Sequence, residues 1–176
     1  EEAVVVGRAG DGRLVRDPEV FLLDEPLSAL DANLREHMQV ELRQLQQRLG
    51  VTTVVVTHDQ KEALTMADTV IVMEAGRVQQ VGTPMEVYRD PANAFVAGFI
   101  GTSNLLPCTL GEGGTVEISA WTMSLAPEDR IKAAPGPAVL SVRPEDVRLG
   151  APEKGLPARV AFIRDLGESV QFVLDQ

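Results

Sequence analysis

Two adjacent carboxylates, Asp24 and Glu25, follow a short apolar run and stand directly before Pro26. The run predicts a buried strand that the proline ends, and ligands tend to bind beyond the carboxyl ends of strands in α/β sheets. No basic residue flanks the two acids in the sequence. Oxygen ligands of this kind suit a hard divalent cation, so the pair indicates a positive partner such as a magnesium–phosphate complex.

A second apolar run ends in a histidine. Residues 51–57 are mostly β-branched and predict a strand that is buried on both faces, and His58 follows it directly. A histidine at a strand exit can donate to a phosphate oxygen from one ring nitrogen while the protein holds the other. A lone histidine is more often structural, but the strand before it and the acid pair upstream favour a functional role. His37 belongs to no motif and is predicted to lie at the surface.

The segment between these two runs predicts an amphipathic helix. Asp31 or Ser28 can cap its start, and Gly50 stands past its end. Its apolar residues recur at helical spacing, and such a stripe is usually core packing rather than a partner site. The stripe consists of Leu30, Leu34, Met38, Leu42, Leu45 and Leu49.

The elements that follow complete an α/β unit. A helix is predicted over residues 60–66, a strand over 69–73, a turn over 74–77 and a strand over 78–81. Strands that alternate with helices imply a parallel sheet with helices on its faces. At the start of the chain, residues 1–13 fit helix or strand until two glycines interrupt them, and a turn is predicted over residues 14–18.

Beyond this unit the pattern changes. Pro84 suits the first turn of a short helix over residues 85–88, and Pro91 suits another that reaches Phe99. After Gly101, frequent glycines and prolines separate short apolar runs, which predicts a small all-β barrel or sandwich. We therefore expect one domain over residues 1–100 and a second over 101–176. The predicted strands of the second domain span residues 104–110, 115–118, 138–142, 158–163 and 170–174.

Composition excludes several classes of function. The net charge of −10 and the aromatic content of 4% argue against a nucleic-acid partner, which requires a basic and stacking surface. The single cysteine, Cys108, rules out an intrachain disulfide and fits a small, half-buried apolar position. No apolar run approaches the roughly 18 residues of a membrane-spanning helix. The first residues lack the order of a secretion signal, so we expect a cytoplasmic protein that reaches the membrane only through a partner.

Three stretches in a fixed order resemble the ATP-binding subunits of ABC transporters. They are VFLLDEPLSALD, VTTVVVTHDQKEALTMAD and EAGRVQQVGTPMEVYRDPANAFVAGFIG. More narrowly, they resemble the importer group with a C-terminal OB-type (TOBE) extension, as in maltose-type and polyamine-type uptake systems. The segment SVRPEDVR at residues 141–148 is similar to part of that extension. Residues 99–106 are slightly more similar to polyamine-type or iron-type importers than to sugar importers.

The resemblance implies a role for each residue of the motifs. Asp24 would help to hold the Mg²⁺ of ATP, and Glu25 would be the general base that activates the attacking water. His58 would be the switch histidine that contacts the γ-phosphate. Ser28 and Asp31 would belong to the nucleotide-binding loop that crosses a dimer interface, although Asp31 also suits a simple helix N-cap.

The family resemblance also implies a fold and a set of partners. The expected fold is a partial P-loop-NTPase-type parallel sheet with helices, followed by the small OB-like domain. The expected function is ATP binding and hydrolysis that energises solute uptake. Two copies would close head to tail on ATP, attached to transmembrane permease subunits at the inner face of the membrane and served by a solute-binding protein.

Three motifs of the family are missing from the sequence. It contains neither the Gly-x-x-x-x-Gly-Lys-Ser/Thr phosphate loop, nor the glutamine loop, nor the Leu-Ser-Gly-Gly-Gln signature. We therefore expect the 176 residues alone to be inactive, as the C-terminal part of a longer subunit with an incomplete β domain. As an alternative function, the fragment in isolation would be a non-catalytic dimerisation or regulatory module. A DNA-repair or translation ATPase is disfavoured by residues 82–84 and by the β extension.

Overall fold

The computed structural model describes residues 2–7, 20–126, 133–150, 155–167 and 169–175. The turn predicted over residues 14–18, and the glycines that interrupt the start of the chain, lie outside these ranges. The chain divides into two compact units, Glu1–Leu105 and Leu106–Gln176.

The first unit contains five strands and four helices in its described part. Its strands are β1 (Glu2–Gly7), β2 (Val20–Asp24), β3 (Thr52–Thr57), β4 (Thr69–Glu74) and β5 (Arg77–Gly82). Its helices are α1 (Ala32–Leu49), α2 (Gln60–Met66), α3 (Pro84–Arg89) and α4 (Ala94–Phe99). The helix expected from Pro91 begins only at Ala94, because the side chain of Asn93 accepts a hydrogen bond from Val96 N at 2.9 Å and caps it there.

The five strands form one mixed sheet in the order β2-β3-β1-β4-β5. Only β2 and β3 are parallel, whereas β1 runs antiparallel to both β3 and β4, and β4 to β5. The β4–β5 hairpin turns through Ala75 and Gly76, which both have positive φ. The predicted parallel sheet is thus found only in the β2–β3 pair. A tight hairpin forces antiparallel pairing, and β1 enters the sheet in the direction opposite to its neighbours.

The described helices cover one face of this sheet. Val55 packs with residues of β4, α2, α3 and α4, and the cavity beneath α1 is bounded by the same side of β2 and β3. The expectation that residues 51–57 are buried on both faces is wrong, because Val54 and Val56 on the other face are only half-buried. The core cluster comprises Val55, Ala63, Ala67, Val70, Val72, Val87, Val96, Phe99 and Ile100.

Helix α1 begins and ends where the sequence predicts. Of the two candidate caps, Asp31 is the one used, since its Oδ1 accepts a hydrogen bond from Leu34 N at 3.0 Å. At the other end Gly50 adopts φ 76° and donates its N–H to Gln46 O. A left-handed residue is a common end for a helix, and glycine adopts it without steric cost.

Only part of the predicted apolar stripe of α1 faces inward: Leu42 and Leu49 are half-buried and line the cavity beneath the helix. Leu34, Met38 and Leu45 are 46%, 39% and 42% exposed, whereas Gln39 and Gln46 are buried. Two ion pairs explain this rotation of the helix. Arg35 and Arg43 lie on the same face as the two glutamines, and they bind Asp59 and Asp68 at the two ends of α2. The prediction that the apolar stripe is core packing therefore holds for only part of its residues.

A capping box begins α3 and surrounds the carboxylate of Glu86 with hydrogen-bond donors. Glu86 Oε2 accepts hydrogen bonds from Thr83 N at 2.8 Å and from Thr83 Oγ1 at 3.0 Å, while Thr83 Oγ1 accepts from Glu86 N. The backbone N–H of Thr83, and next its hydroxyl, lower the pKa of Glu86 below its ordinary value of 4.5.

We expect this contribution to stability to be complete above pH 4.5 and to be lost as the pH falls through the lower folded-state pKa of Glu86. An NMR titration of the Thr83 and Glu86 amides from neutral to acidic pH measures the change. Glu86→Gln is the matched control, because its amide oxygen still accepts hydrogen bonds but does not titrate. If the amides of Glu86→Gln show the same acid transition, the carboxyl group is not its cause.

The second unit is all-β apart from short 3-10 turns. Its strands are β6 (Asn104–Leu110), which begins at the unit boundary, β7 (Thr115–Ile118), β8 (Trp121–Ser124), β9 (Gly136–Val142), β10 (Arg159–Asp165) and β11 (Val170–Asp175). The sequence did not predict β8, because four residues that follow β7 so closely show no separate alternation. The half-buried Cys108 packs against the core of Leu110, Val116 and Ile118, as expected of an apolar residue.

The strands of this unit form two sheets. One has the order β8-β7-β6-β9, and the other is the antiparallel pair β10–β11, whose described residues are all exposed. The described strands therefore do not close into one barrel. None of the described helices in the chain combines the length and the apolar character needed to cross a membrane.

Candidate functional site

The parallel pair β2–β3 brings the two chemical motifs of the sequence to the same edge of the sheet. Asp24 pairs with Val56 in the register of the two strands, so both strands end side by side. Glu25 leaves the end of β2, and His58 leaves the end of β3. Residues that are 33 positions apart in the chain are thereby placed within reach of one another.

Glu25 and His58 are in direct contact. Glu25 Oε1 lies 2.8 Å from His58 Nδ1, and the side chains are 46% and 60% exposed. An ionised carboxylate can only accept hydrogen bonds, so Nδ1 of the ring carries the proton and donates it to Glu25. Nε2 of His58 then has no proton in the neutral ring and can accept a hydrogen bond from another group. The pair is a carboxylate and an imidazole joined by a hydrogen bond at an accessible position, an arrangement suited to general acid–base chemistry.

The backbone of Glu25 is held in an unusual conformation. Its φ is 44°, in the left-handed region, which costs a non-glycine residue of the order of 1–3 kcal/mol. Three hydrogen bonds maintain it: Glu25 N donates to Val56 O at 2.8 Å, and Ser28 donates to Glu25 O from its Oγ at 3.0 Å and from its N at 3.2 Å. Ser28 thus supports Glu25 through the main chain. Such conformations concentrate at functional sites.

The loop that carries His58 is fixed on both sides of the histidine. Thr57 Oγ1 donates to the buried Glu62 Oε2 at 2.7 Å and accepts from Asp59 N at 3.0 Å. Asp59 in turn caps α2, since its Oδ1 accepts from Lys61 N at 2.8 Å. With both neighbours held, the position of the His58 ring depends on few free torsions.

Asp24 is exposed at the end of β2 and borders a shallow depression of about 350 Å³. Leu22 and the half-buried Val54 and Val56 form its apolar floor. Mg²⁺ usually takes one or two protein carboxylates and completes its shell with water and phosphate oxygens. A single accessible carboxylate fits that role. Among the described residues no three histidine, cysteine or acidic side chains are grouped to hold a metal ion by themselves.

The remaining predicted residues occupy different surroundings. Asp31 Oδ1 is used in the N-cap of α1, which confirms the simple structural role considered for it. His37 is exposed and its Nδ1 lies 2.9 Å from Asn33 O on its own helix, as expected of a surface residue.

Sequence reasoning missed one residue that links the two loops of the site. The guanidinium group of Arg35 donates to Leu30 O at 3.0 Å, in the turn after Glu25, and to Asp59 Oδ2 at 3.1 Å, next to His58. The available signal was weak: Arg35 stands one helical turn after the N-cap, and Asp59 directly follows the histidine. Nothing in the local sequence shows that the two residues meet.

Comparison with known proteins places these features in a family. A model of the TOBE domain matches residues 140–175. The chain is 47% identical over 174 residues to an uncharacterised ABC transporter ATP-binding protein, y4oS, of Sinorhizobium fredii, covering 97% of the chain and 45% of that protein. It is 47% identical over 173 residues to the sn-glycerol-3-phosphate import ATP-binding protein UgpC 1 of Rhizobium johnstonii, covering 96% and 46%. It is 46% identical over 155 residues to the spermidine/putrescine import ATP-binding protein PotA of Desulfitobacterium hafniense, covering 88% and 43%.

The chain is therefore a relative of the ATP-binding subunits of ABC importers, and its residues 140–175 match the TOBE domain. It spans about half the length of the curated relatives that it matches.

Proposed function

We propose that this chain forms part of an ATP-binding and ATP-hydrolysing subunit of an ABC importer. The observation that carries the proposal is the hydrogen-bonded pair of Glu25 and His58 at the shared edge of β2 and β3. The names of the relatives support the class of protein, since each is an ATP-binding protein of a transporter.

In this proposal Glu25 is the general base. Its carboxylate orients the water that attacks the terminal phosphate and accepts a proton from it, a role for which an accessible oxygen at hydrogen-bond distance is required. His58 keeps Glu25 in place through Nδ1–H. Nε2 of His58 faces the phosphate. Because Nδ1 already carries the proton that is donated to Glu25, Nε2 can donate to a phosphate oxygen only when the ring is protonated on both nitrogens. Phosphoryl transfer depends mainly on such positioning and charge stabilisation.

Asp24 would hold Mg²⁺ in the same proposal. A bound Mg²⁺ neutralises charge that develops on the phosphate oxygens. The exposed carboxylate of Asp24 beside the open depression is compatible with an ion whose other ligands are phosphate and water.

The proposal assigns the rest of the nucleotide site to residues outside this chain. The part of the relatives that the chain does not span would supply the phosphate loop and the remainder of a P-loop-NTPase-type sheet. A second copy would complete the site across the loop of Ser28 and Asp31. Permease subunits would hold the dimer at the inner face of the membrane, and a solute-binding protein would deliver the solute. The expectation of a polyamine-type solute depends on residues 99–106 alone.

A chimera tests this proposal. Residues 20–176 replace the corresponding segment of the Rhizobium UgpC 1 relative, which keeps its own remaining sequence, and the purified protein is assayed for Mg²⁺-dependent ATP hydrolysis. We expect hydrolysis at a rate within about tenfold of the unmodified relative. A chimera that is folded by circular dichroism and binds ATP but does not hydrolyse it contradicts the proposal and favours the non-catalytic module instead.

A further inference from the structure

The turn after Glu25 and the loop of His58 are connected by one side chain outside both motifs. Arg35 lies at the end of the first turn of α1, and its guanidinium group is part-buried. One nitrogen donates to Leu30 O in the turn and the other to Asp59 Oδ2 in the loop. The planar guanidinium fork can reach two acceptors at once in a fixed geometry.

Both acceptors are coupled closely to the reacting pair. Leu30 ends the turn that Ser28 ties back to the carbonyl of Glu25, and Asp59 is the residue after His58. The Glu25 and His58 side chains are half-exposed and meet through one hydrogen bond. The relative position of their loops therefore determines whether that bond forms.

We propose that Arg35 is a positioning residue that holds the two loops together, so that Glu25 accepts the Nδ1–H of His58. This inference rests on the proposed function for its effect on catalysis, but not for its effect on the pair itself. Removal of the bridge takes away the side-chain link between the loops, while β2 and β3 stay paired and the Glu25 N–Val56 O hydrogen bond remains. The Glu25–His58 hydrogen bond is then populated only part of the time.

The first test measures the tautomer of His58 in the 176-residue chain, without nucleotide. The chain has only two histidines, so the ring ¹⁵N resonances at mildly alkaline pH are simple to assign, and His37 serves as an internal reference. Donation to Glu25 requires the Nδ1–H tautomer, whereas a free imidazole in water prefers Nε2–H. We expect Arg35→Gln to shift His58 from predominantly Nδ1–H to predominantly Nε2–H and to leave His37 unchanged.

Two further variants keep the result interpretable. Asp59→Asn breaks the same ion pair from the other side, and asparagine caps a helix as well as aspartate does, so α2 is preserved. Arg43→Gln is the matched control. Arg43 lies on α1 like Arg35 and forms an ion pair with Asp68, but it touches neither loop of the site. Asp59→Asn should reproduce the shift and Arg43→Gln should not. An unchanged His58 tautomer in both Arg35→Gln and Asp59→Asn overturns the proposal.

The second test measures kinetics in the chimera. A misplacement of catalytic groups by about 1 Å can cost ~10²-fold in rate, so we expect Arg35→Gln to lower kcat by about 10–100-fold with KM for ATP within about twofold. Arg35→Lys should restore part of the loss, because an ammonium group cannot reproduce the two-armed contact. Equal losses for Arg35→Gln and Arg43→Gln would contradict positioning. If the chimera is folded and binds ATP but has no activity, the proposed function fails, and the tautomer measurement still decides this inference.

Discussion

Replacement of Glu25 by glutamine in the chimera is expected to lower kcat for ATP hydrolysis by about 10²–10⁴-fold, the usual contribution of a general base. Glutamine has the same shape as glutamate, and its amide oxygen can still accept the Nδ1–H of His58, so the 2.8 Å contact is retained. It cannot accept the proton of the attacking water. ATP affinity should therefore persist while turnover is lost, which steady-state kinetics and equilibrium binding of ATP measure together.

Glu36→Gln provides the matched control for this substitution. Glu36 is an exposed carboxylate on α1 that lies 3.6 Å from Lys61 Nζ. Its replacement by glutamine removes one negative charge near the site without changing Glu25 or His58. Its kcat should stay within about twofold, as expected for a surface ion pair of small energy. Turnover by Glu25→Gln that equals that of the parent would remove Glu25 from its role. Loss of ATP affinity would indicate a structural defect instead.

Replacement of Ile100 by alanine is expected to destabilise the first unit by about 2–5 kcal/mol, the range for large-to-small changes in a core. Ile100 is 0% exposed and packs within the cluster that joins β3, β4 and the helices α2, α3 and α4. Three carbon atoms leave a close-packed region that cannot fully collapse. Urea denaturation of the 176-residue chain, followed by circular dichroism at the helical band, measures the change, because all four described α-helices belong to this unit.

Met85→Ala is the control for the core substitution. Met85 is 53% exposed on α3, so its truncation should change the free energy of unfolding by less than about 0.5 kcal/mol. Equal transitions for the two variants would show that Ile100 does not lie in the cooperative core. A loss of cooperativity in Ile100→Ala, with a lower slope, would instead show that the unit no longer unfolds in one step.

Local sequence predicted the ends of elements better than their faces. Asp31 and Gly50 were recognised as the limits of α1 because capping depends on the chemistry of single residues. The buried side of α1 was predicted only in part. Burial of Gln46 rather than Leu45 depends on the partners of Arg35 and Arg43, which lie 24 and 25 residues further along the chain.

The sheet shows the same limit. The alternation of strands and helices predicted that β2 and β3 run parallel, which the structure confirms for this pair. The strand β1 between β3 and β4 could not be predicted, since its pairing depends on hydrogen bonds to strands more than forty residues away. The partial burial of Val54 and Val56 likewise depends on which parts of the folded chain cover that face of the sheet, and the local sequence does not contain this information.

The candidate site was predictable in its components. Asp24, Glu25 and His58 carry side chains whose chemistry is evident from their types, and the apolar runs before them indicate their place at strand ends. Their contact was an expectation only, and no pattern in the sequence contained the left-handed backbone of Glu25 or its support by Ser28.

By itself the sequence determined which reactive groups are available, the strands that carry them and the positions at which helices begin and end. These properties follow from single residues and short periodic patterns. The tertiary structure decided which groups touch: the register of β2 on β3 joins Glu25 to His58, and the rotation of α1 brings Arg35 to Asp59. Such contacts join residues far apart in the chain, and they depend on packing and hydrogen bonding that form only when the whole unit is folded.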